Sequence, residues 1–176
     1  LINDQKEIYD VVNEQDRVIG KATRSEIHKK NFLHRSTHIL VFNSNNQLFL
    51  QKRSMSKDES PGLWDISSAG HVNSGESYLV SAYRELWEEL GIKTILTPMV
   101  KIDACKETYH EHIQVYICKT DASIKINQEE ISEGKYFNFS DLINEIHESS
   151  EKYTSSLKLI LRNYTGKILK VAQIKL

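Results

Sequence analysis

Glu85, Glu88 and Glu89 stand at positions i, i+3 and i+4 in a run of good helix formers. At 100° per residue they fall within an arc of about 100° on a helix surface. Carboxylates so placed repel one another by a few tenths of a kcal/mol per pair. A hard divalent cation turns that repulsion into a ligand set, because Mg²⁺ takes one or two carboxylates together with waters and substrate phosphates. Acidic faces are also common on solvated helices, so the triplet alone does not specify a metal. The surrounding residues narrow the choice, since Gly70, Glu76, Arg84 and Gly91 stand at fixed offsets from it.

The full stretch reads Gly70, five residues, Glu76, seven residues, Arg84-Glu85-Leu86, Trp87, Glu88-Glu89, Leu90, Gly91-Ile92. It resembles the Nudix box, Gly-x5-Glu-x7-Arg-Glu-U-x-Glu-Glu-x-Gly-U with U aliphatic, at every specified position. At ordinary residue frequencies a chance match in one chain is about one in a million or rarer. The resemblance implies an α/β fold, the Nudix α/β/α sandwich with a mixed central β-sheet, in which residues 70–92 form a loop–helix–loop. It implies a Mg²⁺- (or Mn²⁺-) dependent hydrolase that cleaves the pyrophosphate bond of a nucleoside diphosphate linked to another group. Glu85, Glu88 and Glu89 would then hold metal, helped by the carbonyl of Gly70, while Glu76 and Arg84 support the loop and helix. Elementary chemistry agrees. A diphosphate repels a water nucleophile, divalent cations neutralise it, and a carboxylate can take the proton. Glu89, with Glu88 beside it, is the first candidate for that role or for holding the activating metal. Glu130, just before an expected strand, is the second.

A narrower resemblance spans roughly residues 8–145. Gly20-Lys21-Ala22-Thr23-Arg24, His28, His34, Gln51-Lys52-Arg53, Pro61-Gly62 and the run Leu63 to His71 look like Nudix proteins similar to type I isopentenyl-diphosphate isomerase. This raises an alternative activity, isomerisation of a C5 diphosphate. That chemistry needs an acid and a base on opposite faces of an alkene. The position of its cysteine acid holds Ala69, which transfers no proton. An ungapped match places His110 and His112 at its two glutamate positions, with Glu111 one residue off and so on the other face of a strand. The resemblance also marks His28, His34 and His71 as a second metal or substrate site, and Arg24, Arg53 and Lys57 as ligands of the diphosphate. Trp64 is expected to fill core, and His38 to be an ordinary strand residue.

These residues need elements to carry them. Leu79, Tyr83, Leu86 and Leu90 form an apolar stripe that predicts a helix over Ser77–Leu90, with Gly91 stopping it. Ile8–Val12 and Arg17–Lys21 predict a hairpin around Asn13–Asp16. His38–Phe42 and Gln47–Gln51 predict a second around Asn43–Asn46. A helical turn or loop is expected over Arg24–Lys30. Further strands are expected at Leu63–Ser68, Ile95–Asp103, His112–Cys118 and Lys135–Phe139. Helices are expected over Ser140–His147, with a Ser-Asp start, and Ser155–Tyr164. The 176 residues, 39% hydrophobic and 27% charged, suit one domain over 1–176 with a short N-terminal hairpin extension and C-terminal helices. A net charge of −1 supplies no field for duplex nucleic acid. No apolar run is long enough to span a membrane, and the polar segment Leu1–Glu7 has no signal-sequence character. Cys105 and Cys118 are expected to be buried free thiols, which makes the cytoplasm the default location. The expected partner is a small-molecule diphosphate, and composition does not distinguish a monomer from a homodimer.

Overall fold

The computed structural model describes residues 7–174. The expected absence of a signal sequence concerns Leu1–Glu7, which lies outside the described residues as far as position 6.

Strands β1 (Ile8–Val12) and β2 (Val18–Thr23) pair antiparallel across the expected turn. Asn13 Oδ1 accepts the backbone N–H groups of Gln15 and Arg17 at 3.1 and 2.9 Å, an Asx-type closure. Arg24–Lys30 is a true helix, α1. Thr23 and Glu26 form a reciprocal capping box that satisfies donors at its start.

The main sheet holds β3 (His34–Phe42), β4 (Gln47–Arg53), β5 (Trp64–Asp65), β6 (Ser68–His71), β7 (Thr97–Ile102), β8 (Glu111–Lys119) and β9 (Ile131–Asn138). Its central path runs β5-β4-β3-β8-β7, with β6 on β3 and β9 on β4. β3 and β8 are parallel and the other ladders antiparallel, so the sheet is mixed. Alternation along β3 feeds two cores. Ile39 and Val41 pack with Leu86 and Leu90 of helix α2 (Tyr78–Leu90). Leu40 and Phe42 pack on the opposite face with Leu142 of α3 (Phe139–Glu148) and with Leu157 and Ile160 of α4 (Ser155–Ala172). Helices on both faces of one mixed sheet make the α/β/α sandwich. Among the described residues no helix is long and apolar enough to cross a membrane.

Several expectations need correction. The strand expected at Leu63–Ser68 is two, because Ser67 turns inward as a wedge. Its Oγ accepts the Val41 N–H at 2.9 Å and donates to the Phe49 carbonyl, joining β3 to β4 through a side chain. Those strands pair at Phe42 and Leu48 and then diverge. The cap of α3 is Asn138, which accepts from the N–H groups of Ser140 and Asp141, so Ser140 is inside the helix. On α2 the buried positions are Ser81, Ala82, Leu86, Glu89 and Leu90, whereas Leu79 and Tyr83 are each 41% exposed. The inward face is rotated toward the carboxylates. Cys118 is buried but Cys105 only half so, and both are free.

Candidate active site

The divergence of β3 and β4 leaves a cleft of about 1450 Å³ along the outer edge of β6, with α2 on one side. Arg84 organises its acidic wall. Its Nε and Nη2 donate to the two oxygens of Glu76 at 3.2 and 3.0 Å, and Nη2 also reaches the His71 carbonyl at 3.0 Å. Its Nη1 donates to Glu85 at 2.5 Å and to Glu88 at 3.2 Å. Glu76 in turn accepts the Asn73 N–H at 3.1 Å, which fixes the loop entering the helix. One guanidinium thus locks loop, strand and helix together, as a planar five-donor group can.

Glu85 and Glu89 face the sheet, and Glu88 is the exposed member of the triplet, its side chain 53% accessible. Glu89 Oε2 accepts the Ala69 N–H at 3.0 Å and the Gln51 amide at 3.2 Å, leaving Oε1 as the remaining ligand atom. The Glu85 carboxylate lies against Gly70 so closely that a methyl group there would overlap it. Burial pushes Glu85 up to about 7, with Arg84 pulling down and Glu88 pushing up. Burial, then the charge of Glu85, pushes Glu89 up to about 8. Two carboxylates turned in from solvent that cannot both ionise cheaply, on a glycine-lined wall, fit a divalent cation.

The three basic residues of the cleft are each paired with a carboxylate. Arg24 pairs with Asp58 at 3.2 Å, Arg53 with Asp65 at 3.1 Å, and Lys57 with Glu130 in a short contact. Burial lowers the Lys57 pKa, outweighing the opposing charge of Glu89. All three, and Glu130, line the cleft. Trp64 does not. It is packed at the edge of the core, edge-to-face with Phe137, as expected of a core residue.

His28, His34 and His71 come together, with ring centroids 4.9 to 5.9 Å apart. The sequence reading missed their carboxylate. Glu111 Oε1 lies 3.1 Å from His71 Nε2 and 3.5 Å from His34 Nε2. His112 points away and lies 3.0 Å from the Asn13 carbonyl. The ungapped match fails because Tyr109 and His110 both adopt left-handed φ, 54° and 64°, which turns the chain just before β8. Burial opposes ionisation of Glu111, but its bonds to both histidines hold it well below the carboxylate range. Burial lowers His34, the bond and charge of Glu111 outweigh it, and the net shift is upward. His34 Nδ1 contacts the Phe32 carbonyl at 3.0 Å, a bond that assigns its proton to Nδ1 and leaves Nε2 as a ligand atom. Ligand atoms of His34, His71 and Glu111 lie within 4.8 Å of one another, a set that fits a second cation. His28 is tied instead to Glu59 at 3.4 Å.

Ala69 is on β6 at the cleft wall, and neither cysteine lines the cleft.

The NUDIX domain model matches residues 32–157. An uncharacterised Nudix hydrolase of Pseudomonas aeruginosa is 38% identical over 126 residues, 71% of this chain and 75% of that protein. The isopentenyl-diphosphate delta-isomerase of Pectobacterium atrosepticum is 33% identical over 159 residues, 85% of this chain and 86% of that protein. The crystal structure of DR0079 from Deinococcus radiodurans superposes with a TM-score of 0.78 at 29% identity, covering 89% of this chain and 98% of that one. With the box complete, its carboxylates gathered on one wall and most of the chain matched in sequence and fold, this protein belongs to the Nudix hydrolase family.

Proposed function

We propose that the cleft hydrolyses the pyrophosphate bond of a diphosphate linked to another group, with Mg²⁺ (or Mn²⁺) held by Glu85, Glu88, Glu89 and the Gly70 carbonyl. The class, a pyrophosphohydrolase, follows from the family. The observation that carries the assignment of residues is the pair of half-buried Glu85 and buried Glu89, fitted against Gly70 and Ala69. Bound there, the cation supplies charge neutralisation for the diphosphate and a lowered pKa for water at the reacting phosphorus.

The chain's own residues do the rest. Arg84 and Glu76 keep the acidic wall rigid. Arg24, Arg53 and Lys57 face the phosphate oxygens, as forks and a point charge. Each has a carboxylate partner at present, so a diphosphate binds by exchange. When Lys57 turns to a phosphate, Glu130 is released beside the reacting centre as a base. Water oxygen bonds to phosphorus, the bridging P–O bond breaks, the proton passes to the carboxylate, and the displaced phosphate leaves with the bridging oxygen. Glu89, with Oε2 held by two donors, suits the ligand role better than proton transfer. The test is a panel of diphosphates assayed with Mg²⁺ and mass-spectrometric product identification. Glu89→Gln is expected to lose metal affinity and at least about 100-fold in rate, and Glu130→Gln to lose about 100-fold in kcat with affinity kept. Wild-type turnover by Glu89→Gln would sink the assignment.

Glu111 favours a second reading, since it restores a carboxylate beside His34 and His71 on the cleft side. That arrangement supports a second cation and half of the isomerase acid–base pair. Ala69 still supplies no acid, and hydrolysis remains the reading the site supports best.

A further inference from the structure

A helix docked on a sheet by one side normally turns polar residues to water on the other. Helix α2 does not. At 100° per residue, Val80 and Trp87 point about 100–160° away from the buried Ala82 and Leu86. They are nevertheless apolar, and they are 55% and 51% exposed. Leu79 and Tyr83, each 41% exposed, extend the same arc toward the sheet.

The segment after the helix widens this surface. The Leu96 N–H donates to the Tyr83 hydroxyl at 3.5 Å, and the Lys93 ammonium lies 4.3 Å from the centre of the Trp87 ring. Ile95, between Lys93 and Leu96 in the chain, is 81% exposed. Leu79, Val80, Tyr83, Trp87 and Ile95 therefore make one continuous apolar patch.

Area, spacing and charge together identify what covers it. At ordinary side-chain areas the five residues leave roughly 500 Å² open, near the top of the range for the largest apolar patch of a monomer. A standard interface takes about 800 Å² from each partner, with an apolar centre and a polar rim. The patch supplies such a centre, and Arg84, Glu88 and Lys93 beside it supply a rim. Val80, Tyr83 and Trp87 stand at i, i+3 and i+7, the spacing of a seam that meets an equivalent seam on another helix. The charge on α2 is three glutamates against one arginine, and Arg84 is already bonded to Glu76, Glu85 and Glu88. An anionic membrane, which attracts clusters of lysine and arginine, is a poor match for that helix. A seam that is its own complement suits a second copy of the chain under a two-fold axis, where the same patch serves both partners.

We infer that the protein is a homodimer in which the α2 helices of two protomers pack through Val80, Tyr83 and Trp87, with Leu79 and Ile95 at the sides. The dimer does not depend on the hydrolase reading. It gives Leu79 and Tyr83, which the sheet leaves uncovered, a surface to be buried against.

The test is sedimentation of the full chain from roughly 1 to 200 µM, with thermal melts over the same range. The wild-type protein is expected to sediment as a dimer at the upper end, with a Tm that rises with concentration. Val80→Glu and Trp87→Glu should each weaken the dimer at least about 30-fold and flatten that rise. Ile19→Glu, at an exposed apolar residue of the N-terminal hairpin, should leave both unchanged. Wild-type protein that stays monomeric throughout, or a dimer that survives both α2 variants, would overturn the interface. So would a monomer that sediments with phosphatidylglycerol vesicles through Trp87, since the occupant would then be a membrane. If a variant does not fold, dilution of the wild-type protein decides the matter by fluorescence, because Trp64 is the only other tryptophan. A shift of the emission to the red as the dimer dissociates is expected, and a constant spectrum would exclude Trp87 from the contact.

Discussion

The carboxylate of Glu85 occupies the space that any side chain on residue 70 would need. Gly70 is held in place because β6 pairs with β3 there, opposite Thr37, so neither partner can retreat cheaply. Its φ is not in the left-handed region, and the backbone itself would accept alanine. The glycine is required for the approach of the carboxylate, not for the turn.

Gly70→Ala should therefore fold, move Glu85 and spoil the cation site. Metal affinity is expected to fall about 10- to 100-fold, the usual effect of disturbing the support of a ligand. Calorimetric titration with Mg²⁺ or Mn²⁺, beside a thermal melt without metal, separates this from unfolding. Wild-type affinity in the variant would show that Glu85 is not a ligand.

Asp16 ties the β1–β2 turn to three other elements. It accepts from Arg35 Nε at 2.5 Å, from the Tyr78 hydroxyl at 3.0 Å and from Lys101. Burial alone would raise its pKa, but the bonds from Lys101 and Arg35 outweigh that and hold it below 3.8. A depressed carboxylate pKa gives stability that is complete above the unfolded value and is lost as pH falls through the folded one. Asp16→Asn tolerates the left-handed φ of 58° and removes the charge. It should cost about 1–2 kcal/mol at neutral pH, discounted for the exposure of Lys101, and the difference from wild type should shrink as pH falls below 3.8 and through the lowered folded pKa. Melting curves across pH check this, and a gap that persists in acid would contradict it.

What could be read from the sequence follows distance along the chain. Gly70, Glu76, Arg84, Glu85, Glu88 and Glu89 lie on one strand, loop and helix that follow one another in the chain, so spacing alone assembles them. The histidines came from resemblance, and the fold does bring them together. Glu111 escaped because a pair of left-handed residues, Tyr109 and His110, decides which face it takes, and nothing in their side chains announces that turn. Leu79 and Tyr83 fit a helical stripe as well as the truly buried Ala82 does, and only docking on the sheet shows which arc is inward. The wedge of Ser67, which splits a strand and opens the cleft, is a long-range bond to Val41 and Phe49 that no local pattern encodes.

Glu111 offers a direct measure of the second cation. Glu111→Gln keeps the shape but removes the charge between His34 and His71. Titration with Mn²⁺ should show one fewer site than in the wild-type protein, while the Glu85–Glu89 site keeps its affinity. An unchanged stoichiometry would mean that the histidine cluster is a hydrogen-bonded structural unit.

Isomerisation makes the sharpest contrast with hydrolysis, because it must move protons at carbon. Ala69 stands on β6 opposite His38, at the cleft wall, and has no proton to give. Cys105 and Cys118 lie outside the cleft lining, and burial pushes Cys118 up to about 12, so neither substitutes. Isopentenyl diphosphate incubated with the wild-type protein in deuterated water should therefore acquire no deuterium above background. Ala69→Cys places a thiol on the wall shared with Glu111, and any exchange should first appear in that variant. Exchange at enzymatic rates in the wild type would overturn the argument from the missing acid and make Glu111 part of a different proton path.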